Sequence, residues 1–318
     1  MFAFPTQMLK VFKDEAIQQQ FEKDGYVVLP FYTEAEMEEL NQLYYRLHPK
    51  SETGFFPSTF SQDKNYRTEA DREIRRICDR PMEHYLENIK TVLGAFIAKT
   101  PGPESGMCVH QDMSLVDESR YTGINIWVPL CDLTVQNGTL FVLPGSHRQF
   151  PTYRGSSIPE FFEKVNDAMI DYLQPVIIKA GEAVFFDQSI IHFSPPNYTN
   201  DIRIVTNTYF THKEAEFRTY FYDKNSALQS VEEFEQNDSF MTDFEQFGAN
   251  IHDRPKVGKS LGMVDYDFPS INSEYLEKHF TRTHARQLIA DAVPKLETEE
   301  THSPKEKNIF QRMLDLVR

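Results

Sequence analysis

The stretch Ile124-Asn125-Ile126-Trp127-Val128-Pro129-Leu130 is a short apolar run that contains a proline near its end. Apolar runs of about four to eight residues bounded by turn residues are typical of buried β-strands. From about residue 92 onward the chain repeats this pattern, with Pro, Gly and Asn between the runs. Similar runs occupy Val92–Ala98, Thr139–Leu143, Val176–Ile178, Ala183–Phe186 and Ile202–Phe210. The pattern predicts a mainly β core, closed as a barrel or a jelly roll.

Helices are predicted on both sides of this core. Thr33-Glu34-Ala35-Glu36 has the spacing of a capping box, and an amphipathic stripe follows it. Within the core, Asn137-Gly138 favours a tight hairpin turn between two strands, and Ser157–Leu173 predicts an inserted helix. After Phe210 the apolar residues take helical spacing around Val231–Phe247, Ser273–Val293 and Pro304–Val317. We therefore expect a core domain with N-terminal helices over 1–212 and a mostly helical extension, packed on the core, over 213–318.

Composition limits the classes of function. The 318 residues carry 33 Lys and Arg against 48 Asp and Glu, a formal net charge of −15. This acidic balance argues against nucleic acid or an anionic membrane as a partner. No run approaches the roughly 18 apolar residues of a spanning helix, and the first residues carry no secretory signal pattern. The odd set Cys78, Cys108 and Cys131 indicates reduced thiols and a cytoplasmic protein. No obligate protein partner is inferred.

The residues with most chemical information are His110, Asp112 and His192. His110 and Asp112 are two positions apart, so on an extended segment their side chains share one face. A second imidazole from a distant strand would complete a two-histidine, one-carboxylate site. Such a site leaves coordination positions open and suits non-haem Fe(II) and dioxygen chemistry. The His-x-Asp pattern alone is weak evidence for a metal site, because a chain of this length with ten histidines should contain about one such pair by chance.

Two further residues follow His192 at informative positions. Ser194 comes two residues later, and Arg203 lies on the next predicted strand. An arginine inside a β barrel needs an anionic partner, because an isolated buried charge is very costly. The local sequence pattern places no Asp or Glu beside Arg203. The carboxylate of a ligand is therefore the attractive candidate for its anionic partner. The guanidinium matches a carboxylate with two hydrogen bonds, and a serine hydroxyl can add one more.

Several ordered motifs together resemble the phytanoyl-CoA dioxygenase-like branch of the Fe(II)- and 2-oxoglutarate-dependent oxygenases. The resemblance runs from about Phe96 to Phe210, and the N-terminal Phe21–Val28 also looks like the opening helix and strand of that family. The C-terminal third matches nothing. The motifs are Cys108-Val109-His110-Gln111-Asp112, Ile126-Trp127-Val128-Pro129-Leu130, Asn137-Gly138-Thr139-Leu140, Pro144-Gly145-Ser146-His147, Gly181-Glu182-Ala183-Val184-Phe185-Phe186-Asp187, and finally His192, Ser194 and Arg203.

The resemblance implies a double-stranded β-helix, the jelly-roll core that cupins share. His110, Asp112 and His192 would hold Fe(II), and the far carboxylate of the cosubstrate 2-oxoglutarate would rest on Arg203 and Ser194. Dioxygen would be the second cosubstrate, and ascorbate is expected to help in vitro. Two further cosubstrate contacts are assigned: Trp127, where the family often has a tryptophan, and Asn125, which shares its strand face because side chains alternate.

The resulting prediction is a hydroxylase that acts on a small-molecule substrate and releases succinate and carbon dioxide. Halogenases that resemble this pattern lack the carboxylate, so Asp112 favours hydroxylation. The net charge of −15 favours a small polar metabolite, such as an amino acid or a biosynthetic intermediate, over an acyl-CoA with its phosphates. Two alternatives stay open. One is a catalytically silent barrel that binds an organic acid through Arg203, and the other is a cupin-like metal enzyme without a cosubstrate.

Overall fold

A computed structural model describes residues 9–48, 52–149, 153–226, 228–237, 240 and 252–294. Within these ranges the chain is mainly β with flanking helices, as predicted. The strands are β1 (Tyr26–Pro30), β2 (Phe55–Pro57), β3 (Ile89–Lys99), β4 (Met107–His110), β5 (Gly123–Pro129), β6 (Phe141–Val142), β7 (Gln174–Pro175), β8 (Glu182–Asp187), β9 (His192–Ser194), β10 (Arg203–His212), β11 (Phe217–Phe221), β12 (Ser230–Gln236) and β13 (Lys259–Asp265). The helices are α1 (Glu15–Asp24), α2 (Glu34–Leu47), α3 (Lys64–Tyr85), α4 (Asn166–Met169), α5 (Ser273–His279) and α6 (Ala285–Ala292).

Two antiparallel sheets form the jelly-roll core. The larger has six strands in the order β1-β8-β5-β10-β3-β2, and the smaller has four in the order β4-β9-β6-β7. Neighbours in each sheet come from distant parts of the chain, so the connections pass repeatedly from one sheet to the other. The predicted double-stranded β-helix class is confirmed. A buried apolar cluster draws on both sheets: Trp127, Val184, Phe186 and Val205 from the larger, and Val142 from β6 of the smaller.

Burial of both faces explains the long apolar runs in the strands of the larger sheet. Every residue of β5 is buried, because the sheet is covered on both faces. Ile124, Ile126 and Val128 pack with the N-terminal helices, whereas Trp127 joins the cluster between the sheets. Side chains of a strand alternate between faces, so the polar Asn125 points to the same inner side as Trp127. The inner side is therefore where polar groups of the core meet.

The N-terminal helices form the outer cover of the larger sheet. Helix α2 begins at the predicted capping box, in which the backbone N–H of Glu36 donates to the Thr33 hydroxyl and the backbone N–H of Thr33 donates to the Glu36 carboxylate. Its buried face carries Leu40 and Tyr44, and the Tyr44 ring meets Phe96 of β3 edge-on at 5.3 Å between centroids. These contacts fix the helices against the face of the sheet that points away from the inner polar groups.

The region after residue 212 differs from its helical prediction. Its described part contains a three-stranded antiparallel sheet, β11-β12-β13, besides α5 and α6. Val231 and Phe234 are both buried at a spacing of three, but they belong to strand β12, on which this spacing places them on opposite faces of the sheet. Most of the predicted 238–247 stretch, and all of Pro304–Val317, lie outside the described residues.

The predicted helix Ser273–Val293 is interrupted. Helix α5 ends at His279 and α6 starts at Ala285, and the Thr283 hydroxyl between them donates to the Leu173 carbonyl at 2.7 Å. Apolar residues of α5 and α6 share one buried cluster with the inserted segment of the core. This cluster includes Phe161, Met169, Leu276, Ala285 and Ile289.

Three smaller predictions within the core also need correction. The predicted helix Ser157–Leu173 is present only as α4 with a 3-10 turn on each side. Val176–Ile178 forms no strand, and the neighbouring strand is the shorter β7. Asn137-Gly138 makes a turn, with Gly138 at a φ of +81°, but it connects β5 to β6, which belong to different sheets and do not pair.

None of the helices within the described ranges is both long enough and apolar enough to cross a membrane.

The helical cover gives a stability prediction. Leu40 on α2 is fully buried, so Leu40→Ala removes apolar contacts and leaves a cavity. We expect the free energy of unfolding to fall by about 2–5 kcal/mol. Tyr45→Ala on the same helix, at a side chain 66% exposed, should change it by less than about 1 kcal/mol. Chemical denaturation of both variants measures this difference, and equal losses would contradict the packing described.

Candidate metal centre

The structure brings His110, Asp112 and His192 together. His110 ends β4 and His192 begins β9, and the two are paired across the antiparallel ladder with ring centroids 4.1 Å apart. Asp112 lies just beyond β4, and its Oδ1 is 3.6 Å from His110 Nε2 and 3.9 Å from His192 Nε2. One ligand atom from each residue lies within 4.8 Å of the others. A single metal ion can therefore contact all three side chains.

Both imidazoles are oriented for metal binding. His110 Nδ1 donates to the Cys108 carbonyl at 2.8 Å, and His192 Nδ1 donates to the Ile190 carbonyl at 2.9 Å. A carbonyl oxygen only accepts, so each neutral ring carries its proton on Nδ1 and a lone pair on Nε2. Metal-binding histidines are typically held by such a second hydrogen bond. Two imidazoles and one carboxylate leave open positions on the ion, so the residues present fit Fe(II).

Hydrogen bonds from neighbouring residues fix the position of Asp112 and of its carboxylate. Asn125 Nδ2 donates to Asp112 Oδ2 at 2.8 Å, and Asn125 Oδ1 accepts from Asn207 Nδ2 at 2.8 Å. Arg154 Nε donates to the Asp112 carbonyl at 2.7 Å. These bonds leave Oδ1 directed at His110 and His192. The structure thus places Asn125, a residue predicted to contact the cosubstrate, against a metal ligand, where such partners typically change metal affinity by about 10–100-fold.

The electrostatics of the three residues favour a cation at their centre. Burial raises the pKa of Asp112, but the adjacent imidazoles of His192 and His110 outweigh this and lower it overall. Burial, with His110 beside it, lowers the pKa of His192 to about 4. Asp112 is therefore ionised and His192 neutral at pH 7. These are the protonation states in which both groups bind a metal ion.

Arg203 is the first residue of β10 and is 1% exposed. Its Cζ lies 5.3 Å from the centroid of the Trp127 ring, so the predicted pair of Arg203 and Trp127 is in contact. Its Nε and Nη1 have no hydrogen-bond partner, and no carboxylate of the described residues forms an ion pair with it. Burial lowers the pKa of Arg203 to about 10. The side chain retains donors for an anion that the described residues do not supply.

A second buried cation lies beside Arg203. Lys99 pairs directly with Arg203 across β3 and β10, and it is also fully buried. Its Nζ donates to the Ser194 carbonyl at 2.9 Å, which ties the predicted Ser194 to this end of the core. Burial, together with the charge of Arg203, lowers the pKa of Lys99. Two adjacent basic side chains, with no acid of the described residues in a salt bridge with either, suit a carboxylate ligand.

The sequence did not reveal the residues on the open side of the metal centre. Arg154 and Glu118 form a buried ion pair, with Nη1 to Oε2 at 2.7 Å. Glu160 accepts from the backbone N–H of Gln111 at 3.2 Å, and burial raises its pKa to about 7. Arg154 and Glu160 belong to the segment between β6 and β7, where loop composition carries no signal of what a side chain contacts.

A cavity of about 200 Å³ opens beside the metal ligands. Gln111, which lies between His110 and Asp112 in the chain, forms part of its wall. The remaining wall combines the inserted segment with the C-terminal extension and includes Tyr153, Arg154, Glu160, Phe161 and Tyr266. The extension thus contributes Tyr266 to the wall of a cavity that adjoins the metal-ligand segment.

Comparison with known proteins gives a family match over most of this core. The profile of the family described as Phytanoyl-CoA dioxygenase (PhyH) matches residues 21–205. A phytanoyl-CoA dioxygenase domain-containing protein 1 homolog of Dictyostelium discoideum is 28% identical over 134 residues, 40% of this chain and 47% of that protein. The phytanoyl-CoA dioxygenase domain-containing protein 1 of Danio rerio is 27% identical over 171 residues, 51% of this chain and 56% of that protein. The chain spans about half the length of these relatives.

Solved structures show weaker likeness. SnoK, a non-heme alpha ketoglutarate dependent carbocyclase from nogalamycin biosynthesis, has a TM-score of 0.47 at 15% identity, over 64% of this chain and 86% of its own. HygX from Streptomyces hygroscopicus, with nickel, 2-oxoglutarate and hygromycin B bound, has a TM-score of 0.47 at 15% identity. The match covers 62% of this chain and 86% of the HygX chain. At these values the likeness carries no information on the substrate of this chain.

The geometry of the three ligands predicts stoichiometric metal binding. The purified protein should retain about one Ni(II) per chain after gel filtration, and the metal should raise its melting temperature. His110→Ala removes one of three ligands and should abolish retention. His84→Ala, at an exposed histidine of α3, is the matched control and should change nothing. Equal retention by both variants, measured by elemental analysis, would place the metal elsewhere.

Proposed function

The chain belongs to the phytanoyl-CoA dioxygenase family, and from this premise we propose that it is an Fe(II)- and 2-oxoglutarate-dependent dioxygenase. It hydroxylates an unactivated C–H bond of a small-molecule metabolite and releases succinate and carbon dioxide. The observation that carries the proposal is the combination of two features in one core. His110, Asp112 and His192 lie close enough together to bind one metal ion. The same core contains the buried guanidinium of Arg203, whose Nε and Nη1 have no hydrogen-bond partner.

Each residue has a distinct task in this proposal. His110, Asp112 and His192 hold the iron, which supplies the activation of dioxygen when it is bound. The far carboxylate of 2-oxoglutarate accepts hydrogen bonds from Arg203, whose orientation is fixed by the Trp127 ring beneath it. Ser194 adds a hydroxyl at the same end of the core. These contacts give the cosubstrate one orientation relative to the metal ligands, and orientation is the main contribution of the protein.

The surroundings of the metal centre favour a small metabolite over an acyl-CoA. The adjoining cavity of about 200 Å³ is smaller than the roughly 300–1,000 Å³ of pockets for drug-sized ligands. Arg154, the arginine in its wall, is paired with Glu118, and the net charge of the chain is −15. The phosphates of a CoA thioester would need a positive surface that these features do not provide. An amino acid or a biosynthetic intermediate of similar size fits better.

The test of this proposal separates cosubstrate binding from metal binding. With Fe(II) and ascorbate, the protein should convert 2-oxoglutarate to succinate, and turnover should rise with a suitable metabolite. Arg203→Met should raise the KM for 2-oxoglutarate about tenfold or more, because a charge-assisted hydrogen-bonding pair is lost. Its Ni(II) content should stay unchanged. Arg148→Met, at an exposed arginine, is the matched control.

Two other results would overturn the proposal in different ways. Turnover of a metabolite without 2-oxoglutarate would indicate a cosubstrate-independent cupin-like enzyme. Binding of an organic acid that survives both metal removal and His110→Ala, without succinate formation, would indicate a silent binding module. The complete ligand set argues against the silent module, because such a protein has no need of all three metal-binding side chains.

A further inference from the structure

The cavity beside the metal centre has an acidic side chain that forms no salt bridge with a Lys or Arg of the described residues. Glu160 forms part of its wall and accepts one hydrogen bond, from the backbone N–H of Gln111 at 3.2 Å. Within the described ranges, no Lys or Arg nitrogen lies within 4.0 Å of its carboxylate. Arg154, which shares the wall, directs its guanidinium to Glu118 and to the Asp112 carbonyl instead. The carboxylate of Glu160 thus lines the cavity without a salt bridge of its own, and the charged groups nearest to it are His110 and Arg154.

The charges of the loaded site also leave Glu160 unbalanced. The metal ion and Arg203 together would offset the carboxylate of Asp112 and the two carboxylates of the cosubstrate. Arg154 and Glu118 neutralise one another. Glu160 is then the carboxylate in the wall of the adjoining cavity that has no Lys or Arg in a salt bridge with it among the described residues, and a buried carboxylate is stabilised by a cation within hydrogen-bonding distance.

The rest of the wall suits the same kind of ligand. Tyr153 and Tyr266 meet edge-on at 5.4 Å between ring centroids, and Phe161 adds a third ring to the lining. Aromatic rings attract cations through their negative faces and also pack against aliphatic carbon. An acid flanked by aromatic rings is a typical arrangement for binding an amine.

We propose that the substrate of this site carries a protonated amine and that Glu160 binds it within the aromatic wall of Tyr153, Phe161 and Tyr266. The inference rests on the proposed function, because it names the substrate class of the same cavity. Glu160 acts as a specificity residue: it selects an ammonium over an uncharged group of the same shape. The amine is anchored a short distance from His110, since Glu160 bonds to the residue that follows it.

The test compares an amine with the alcohol of the same shape, in protein loaded with Ni(II) and 2-oxoglutarate so that no turnover occurs. Cyclohexylamine and benzylamine should each bind about tenfold or more tightly than cyclohexanol and benzyl alcohol, measured by titration calorimetry. Glu160→Gln keeps an acceptor for the Gln111 N–H and should reduce the ratio to near one. Glu163→Gln, at an exposed glutamate of the same segment, should retain the full ratio.

Three results would overturn the inference: equal binding of amine and alcohol to the unmodified protein, no detectable binding of either amine, or an amine preference that persists in Glu160→Gln. The Ni(II) content of each variant confirms that the metal centre is intact. The outcome is distinguishable from failure of the proposed function, because succinate formation from 2-oxoglutarate is measured separately. A protein that makes succinate but shows no amine preference retains the proposed function and loses only the substrate class.

Discussion

The pairing of His110 with His192 across β4 and β9 is the constraint on which the site depends. It places two imidazoles with ring centroids 4.1 Å apart, although the two residues are 82 positions apart in the chain. Backbone carbonyls of Cys108 and Ile190 then fix the rings with Nε2 towards the centre. The smaller sheet therefore sets the geometry of two ligands through backbone hydrogen bonds alone. Asp112 needs separate support, which Asn125 of the larger sheet provides.

The larger sheet is covered on its outer face by helices, and this cover determines what its inner face can hold. Apolar side chains on the outer face supply the hydrophobic stabilisation of the fold. The inner face can then carry Asn125, Asn207, Lys99 and Arg203, which would be unfavourable in a purely apolar core. The wall of the inner space therefore combines the basic side chains of Lys99 and Arg203 and the carboxylate of Asp112 with the apolar cluster around Trp127. Such a space suits a cosubstrate that has a carboxylate at one end and a metal-binding group at the other.

Much of this arrangement could be predicted from the sequence, for identifiable reasons. Apolar runs such as Ile124–Leu130 predict strands because both faces of the larger sheet are buried, and the predicted jelly-roll class and family are confirmed. The placement of His110, Asp112 and His192 follows from strand pairing, which local spacing cannot reveal. The three residues could still be predicted to meet, because several ordered motifs together resemble a known family. The roles assigned to Arg203, Ser194 and Trp127 stay predictions, and the structure gives Asn125 a contact with Asp112 that alternation alone did not indicate.

The remaining features could not be predicted because they depend on tertiary contacts. The spacing of Val231 and Phe234 suggests a helix, but the two side chains are buried on opposite faces of strand β12. Glu160 and Tyr266 meet in one cavity although they lie on segments without a shared local pattern. The composition of this cavity wall is therefore evident only from the folded chain.

The most direct measurement is an absorption spectrum of the anaerobic protein with Fe(II) and 2-oxoglutarate. If the cosubstrate chelates the iron held by His110, Asp112 and His192, a visible metal-to-ligand charge-transfer band should appear. It should be absent in His110→Ala and weaker in Arg203→Ala. A folded, iron-loaded protein that shows no such band would contradict the assignment of a 2-oxoglutarate-dependent centre.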